Sequence, residues 1–113
     1  MYLFIKLWKP KQSWYDLSQE ERVGFVKKAQ EMMKPIQEKG METIAWMELL
    51  SDVVPYKSDY LYCSVYKLKH KQDVHDFHSA MVKFKWYNYF EQTNVVGEAE
   101  NPGAVLSRIV SLK

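Results

Sequence analysis

The sequence predicts an α+β domain of order β-α-β-β-α-β, a four-stranded antiparallel sheet with two helices on one side. Three observations predict it. Residues 18–39 and residues 73 to about 90 repeat apolar side chains at helical spacing, and four shorter stretches alternate them with period two. The first helix opens on a capping box and closes on a glycine. The stretch Lys83 to Glu98, KFKWYNYFEQTNVVGE, reads as a helix end, a short joint and a strand. Its Trp86, Tyr87, Tyr89 and Phe90 carry too much apolar area for a solvated helix end, so the joint packs on the chain's own sheet or on a second copy.

The first strand spans residues 2–8, with Leu3, Ile5 and Leu7 on an aliphatic face and Tyr2, Phe4, Lys6 and Trp8 on the other. The first face reads as core; the second, aromatic with one lysine, suits a cleft. Residues 9–17 read as a loop whose Trp14 and Tyr15 plug the end of the core or lie over a cleft. Ser18 and Glu21 form the capping box of the first helix, with a bend or an early end expected at Pro35 and Gly40 as its C-terminal cap. The second strand, 41–50, alternates Thr43, Ala45, Met47 and Leu49 with Ile44, Trp46 and Glu48; the third, 60–68, alternates Leu61, Cys63, Val65 and Lys67 with Tyr60, Tyr62, Ser64, Tyr66 and Leu68. Asp73 is a plausible cap for the second helix, whose stripe is Val74, Phe77, Met81 and Phe84 with His78 on the same side. A fourth strand covers 93–100. The chain reads as a single domain over 1–113, with 101–113 as a C-terminal arm or short helix.

Helices on one side of a sheet leave its other face open. Assigning the aliphatic face to the helices makes Phe4, Trp8, Trp46, Tyr62, Tyr66 and Val96 the open face, and the same face of a second copy is its cheapest cover. A homodimer through that aromatic face is therefore expected.

Composition narrows the function classes. Sixteen Lys and Arg against fourteen Asp and Glu leave no concentrated basic face, and before Arg108 the only arginine is Arg22, so a nucleic-acid partner is not expected. Four scattered glycines make no phosphate-cradling loop. Cys63, the only cysteine, excludes an internal disulfide and reads as a buried inert thiol. MYLFIKLW lacks the basic start of a signal peptide and no apolar run approaches 18 residues, so a cytoplasmic protein without a membrane partner is expected.

The candidate chemistry is sparse. Trp46, Tyr62, Tyr66, Trp86 and Asn94 combine rings with a few polar handles, as in a small-molecule site or a wet interface. Among them Glu48 is the expected proton acceptor, with Asn94 or Tyr62 orienting the ligand and His78 as the reserve base. A structural Lys6–Glu48 pair is the competing reading of that carboxylate. His70, His75 and His78 lack a further ligand at metal-binding spacing and read as surface or boundary histidines.

The WYDLSQEER opening of the first helix, with Trp14, Leu17, Glu21 and Arg22, and the WYNYFEQTNVVGE junction, with Trp86, Tyr87, Tyr89, Phe90 and Asn94, resemble the dimeric α+β barrel superfamily, nearest to small bacterial proteins close to the darcynin-like group. The resemblance covers Tyr2 to Glu100. It implies a ferredoxin-like fold, a homodimer, and one site per subunit between sheet and helices. It also implies cofactor-free oxygenation or isomerisation of a small aromatic or quinone-like compound, or else ligand binding or dimer formation without turnover. Haem-degrading members carry an iron-ligating histidine on the second helix, for which His75 and His78 are the positional candidates here; the Asn and Trp that accompany it are not matched, and no cofactor is expected.

Overall fold

The computed structural model describes residues 1–113. Its elements are β1 (Tyr2–Pro10), a four-residue α1 (Gln12–Tyr15), α2 (Gln19–Glu38), β2 (Glu42–Glu48), β3 (Tyr62–Leu68), α3 (Lys71–Lys83), a 3₁₀ turn (Trp86–Asn88), β4 (Phe90–Glu98) and α4 (Pro102–Val110). The four strands form one antiparallel sheet in the order β2-β3-β1-β4, with β1 and β3 central. This is the ferredoxin-like α+β arrangement.

The ends of α2 follow from its sequence. The Ser18 hydroxyl accepts from the Glu21 amide at 3.1 Å, the Glu21 carboxylate accepts from the Ser18 amide at 3.0 Å, and Gly40 leaves the helix at φ 111°. Ser18→Ala removes one half of this reciprocal cap. We expect a loss of about 1 kcal/mol in chemical denaturation with an unchanged dependence on denaturant. At the start of α3, His70 rather than Asp73 is the cap position, and Asp73 reaches back to accept from the His70 amide at 3.1 Å. The stretch expected to continue as helix to about residue 90 breaks at Lys85, which adopts a left-handed conformation (φ 68°). The chain then makes the 3₁₀ turn and enters β4 at Phe90, three residues earlier than alternation alone indicated. Residues 12–15, read as loop, form α1, held by Arg22, whose guanidinium donates to the Trp14 carbonyl at 3.1 Å and the Tyr15 carbonyl at 2.9 Å.

The two sheet faces are exchanged relative to the sequence reading. Phe4, Trp8, Tyr66 and Leu68 point to the helices and form the core with Phe77 and Met81 of α3, Trp86 and Phe90. The Phe77 ring meets Phe4 at 5.1 Å and Tyr66 at 4.9 Å, and Trp86 stacks on Phe90 at 4.1 Å. Leu3, Ile5 and Leu7 lie on the open face, opposite Lys67, Val65 and Cys63 of β3 and Gly97, Val95 and Thr93 of β4. The physical reason is volume. The stripe of α3 offers only Phe77 and Met81 as fully buried groups, and the large rings of β1 and β3 are needed to fill the gap beneath it. A bulge between Thr43 and Ala45 also redistributes β2, so that Thr43 joins Trp46 and Glu48 opposite Tyr66, Ser64 and Tyr62, while Ala45 and Met47 join the open face.

The two long helices are not equivalent. α3 buries Phe77 and Met81, whereas no residue of α2 is fully buried. Phe25 props one end of α2 on Trp14, Phe84 and Phe90, with ring centroids 5.6, 4.8 and 6.3 Å apart, and Ile36 and the buried Met41 close the other. Between these props α2 stands off the sheet. α4 is capped by Asn101, whose side-chain oxygen accepts from Ala104 at 2.8 Å, and leaves Leu106, Ile109 and Val110 exposed. No helix is long and apolar enough to cross a membrane.

Candidate functional site

The space under α2 is a cavity of about 830 Å³ bounded by 20 residues, 14 of them hydrophobic. β1 contributes Lys6 and Trp8, β2 Thr43 and Trp46, β3 Tyr62 and Tyr66, and α3 Phe77 and Met81. Trp14, Trp86 and Phe90 close one end, and Phe25, Ala29, Met32, Met33 and Lys34 of α2 form the roof. Tyr62 stacks on Trp8 at 4.6 Å and Trp46 meets Trp8 edge-on at 5.8 Å, so the sheet-side wall is a set of interlocked rings. Trp46 is 53% exposed and stands at the mouth; Tyr66 and Trp86 are buried at the bottom.

Lys6 is the group on which this cavity turns. Strand alternation places it between Phe4 and Trp8 on the helix-facing side, opposite Ser64 of β3 and Asn94 of β4. Its side chain is 3% exposed. The ammonium position lies 4.5 Å from the ring centroid of Trp86, 5.0 Å from Trp46, 5.5 Å from Tyr66, 5.9 Å from Trp8 and 6.0 Å from Phe77. No Asp or Glu lines the cavity, and the molecule's ion pairs, Lys9–Glu91 and Arg108–Glu100, lie elsewhere. Burial lowers the Lys6 pKa from 10.5 to about 7, so near neutral pH a substantial share of the amine is unprotonated. The ring faces act in the opposite sense, favouring the ammonium.

The Tyr66 hydroxyl is the second unusual group. It is fully buried and lacks a hydrogen-bond partner. Burial pushes its pKa up, with the Ser64 hydroxyl and the Trp46 indole N–H close enough to pull slightly the other way without closing a well-formed hydrogen bond. Ser64 is already engaged as the acceptor of the Trp8 indole N–H at 3.2 Å.

Four of the residues read from the sequence as a lining, Trp46, Tyr62, Tyr66 and Trp86, come together in this cavity. Asn94 does not line it. Its amide donates to the Tyr87 hydroxyl at 3.0 Å and its carbonyl oxygen accepts from Gln92 at 2.6 Å; Gln92 in turn accepts from the Trp86 indole N–H at 2.8 Å. Asn94 thus fixes the ring nearest to Lys6 through one intermediary. Glu48 shares the sheet face of Trp46 but is exposed near the end of β2, outside the cavity, and forms no pair with Lys6. His78 is exposed on α3 with its ring 5.9 Å from Tyr87, also outside. Neither His75 nor His78 faces the cavity, which therefore does not offer the imidazole that a haem reading requires. Nowhere do three or more His, Cys, Asp or Glu side chains gather as metal ligands.

Sequence reasoning passed over Lys6 as a site residue, although the signal was present as one lysine at the middle of a ring-bearing strand face. The cavity itself had no such signal, because it depends on how far α2 stands from the sheet. Cys63 is buried between Leu7 and Met47 on the opposite sheet face, where burial raises its thiol pKa, as an inert core thiol requires.

Comparison with known proteins places these features. Residues 1–112 match a family described as a family of unknown function, DUF6616. No curated protein matches the sequence. Among solved structures, the Arabidopsis thaliana protein At3g17210 is 14% identical with a TM-score of 0.62, over 89% of this chain and 97% of that one. A dabb family protein with a ferredoxin-like fold from Mesorhizobium loti is 15% identical with a TM-score of 0.60, over 88% and 97%. A chlorite dismutase from Candidatus Nitrospira defluvii is 15% identical with a TM-score of 0.69, over 95% of this chain but 43% of that one, so this chain spans less than half of that protein. At these identities the likeness establishes the fold alone, the ferredoxin-like α+β arrangement.

Proposed function

The chain belongs to the family of unknown function DUF6616, and from that premise we propose that it is a small-molecule-binding protein that receives a flat aromatic or quinone-like compound in the cavity beneath α2, working as a homodimer. The observation that carries this reading is the cavity itself. Its volume of about 830 Å³ and its ring-rich lining with few polar groups have the character of a ligand site rather than of a packing defect. Neighbouring rings at 4.6 to 5.8 Å present edges and faces against which a planar molecule stacks. The homodimer reading is supported by the open sheet face, where Met47 and Val95 are 45% and 48% exposed around Ile5 and Val65.

A panel of quinols, naphthoquinones and hydroxylated bicyclic aromatics, tested by calorimetry and thermal shift, should yield a saturable ligand with one site per subunit. At a hundredfold excess over its dissociation constant the ligand should stabilise the fold by about 2.7 kcal/mol. Ala29→Trp, which fills the space from the roof, should abolish the effect without unfolding the protein. No protection by any planar compound, or protection that survives Ala29→Trp, removes the reading. Oxygen uptake measured on a quinol that binds separates turnover from binding. Glu48→Gln should leave binding unchanged, because that carboxylate lies outside the cavity.

A further inference from the structure

Two polar groups at the bottom of an apolar cavity are left without a hydrogen-bonding partner in the protein. Lys6 has no carboxylate near it, and the Tyr66 hydroxyl has no hydrogen-bond partner. Buried polar groups are nearly always satisfied, and two orphans on one cavity wall call for a ligand that carries what they lack. The missing element is an acceptor, since a lysine ammonium and a tyrosine hydroxyl both donate.

The charge of the lining sharpens the choice. Its ionisable groups are Lys6 from β1, Tyr62 and Tyr66 from β3, and Lys34 from α2; the surfaces offered by α3, β2 and β4 are Phe77 and Met81, Thr43 and Trp46, and Phe90. Two potential cations and no carboxylate favour an anionic oxygen. The surrounding rings favour a planar body attached to that oxygen.

We infer that Lys6 and Tyr66 form an oxygen-binding pair that takes the acidic hydroxyl of a planar ring compound, a phenol or ring enol, with the Lys6 amine accepting its proton. This rests on the ligand site proposed above and names its substrate class. The O–H bond of the ligand breaks, its electron pair stays on oxygen, and the proton forms a new N–H bond on Nζ from the nitrogen lone pair; no oxidant or further reactant is needed. The ammonium so formed gains the faces of Trp86 and Trp46, and the ligand oxyanion accepts from Nζ and from the Tyr66 hydroxyl. A lowered lysine pKa gives the amine the free lone pair this step needs near neutral pH.

The test compares 4-nitrophenol with 4-nitroanisole, which has the same body but no acidic hydrogen. With the wild-type protein, 4-nitrophenol should bind at least about tenfold more tightly than the ether. Near neutral pH the bound dye should show a larger phenolate fraction than the free dye at the same pH, since tenfold discrimination is about 1.4 kcal/mol. Lys6→Met should still bind both compounds but lose the discrimination and the phenolate band. Tyr66→Phe should keep the band and lose part of the discrimination. Equal binding of phenol and ether, or a phenolate band that persists in Lys6→Met, overturns this inference and leaves the cavity reading intact. Binding of neither compound to the wild-type protein overturns this inference, and the cavity reading falls with it where the wider panel of planar compounds also fails to bind. The wild-type spectrum is decisive even if a variant fails to fold.

Discussion

Lys6→Met should raise stability by about 3 to 4 kcal/mol at pH 6, and the gain should shrink towards zero as the pH rises to 10.5. Burial holds the Lys6 pKa at about 7 in the native protein, against 10.5 for a solvated lysine. Above 10.5 the amine is neutral in both states and its charge contributes nothing. As the pH falls from 10.5 to 7, the unfolded chain takes up a proton that the native state does not, and native stability declines through that window. Below about 7 both states are protonated and the penalty is constant, near 5 kcal/mol for the full displacement. Attraction between the ammonium and the ring faces returns about 1 to 2 kcal/mol of it. Methionine has nearly the shape of the lysine stem and needs no solvation, so the substitution removes the penalty without opening a void. Urea titrations of both proteins at pH 6, 8 and 10, at one protomer concentration, measure the difference directly. A gap that does not change with pH excludes titration of Lys6 as its cause. A Lys6→Met chain less stable than wild type means that the ammonium is satisfied by a partner.

A residue expected to cost the fold several kcal/mol invites a functional account, because a domain of this size has only about 5 to 15 kcal/mol of stability in total. Marginal stability is tolerated at sites where chemistry needs an unsatisfied group. Lys6 and Tyr66 fit that pattern, whereas Glu48 and His78, both exposed, carry no comparable penalty.

The sequence carried the fold well and the site unevenly, for separate physical reasons. Strand and helix order are local properties of periodicity and caps, and Ser18, Glu21 and Gly40 stand where those signals put them, while α2 runs through Pro35 to Glu38. Which face of β1 meets the helices is not local. Leu3, Ile5 and Leu7 are as apolar as Phe4 and Trp8, so alternation defines two faces without ranking them; the volume beneath α3 decides. Trp46, Tyr62 and Tyr66 share one cavity wall because parity within a strand survives that ambiguity. Glu48 was grouped with them for the same reason, but parity does not report how far along the strand the cavity extends. The role of Asn94 depends on the side-chain chain through Gln92 to Trp86, a contact pattern with no signature in spacing.

Ile5→Lys should break the proposed homodimer into a folded monomer near 13.5 kDa. Ile5 lies at the middle of the open face, between Val65 and Val95, with Leu3 and Leu7 on either side. An uncovered apolar surface of this kind is what a second copy of the same sheet can bury. A two-fold interface would receive the lysine from both copies, adding two desolvated ammonium groups and removing two buried isoleucines. Each isoleucine alone contributes about 1.5 to 3 kcal/mol by transfer to a core. Taken with the unpaired charges, a weakening of dimerisation by at least about a thousandfold is expected, roughly 4 kcal/mol. Sedimentation equilibrium at micromolar concentration distinguishes the outcomes. A wild-type protein already at 13.5 kDa removes the dimer altogether. A variant that unfolds instead of dissociating would mean that Leu3, Ile5 and Leu7 serve an intramolecular core. Because Lys6, Trp8 and the rest of the cavity lie on the other side of the sheet, the monomeric variant should bind a planar ligand within about threefold of wild type, a difference of roughly 0.7 kcal/mol. Retained binding in the monomer would assign the open face to assembly and the helix-facing face to the ligand.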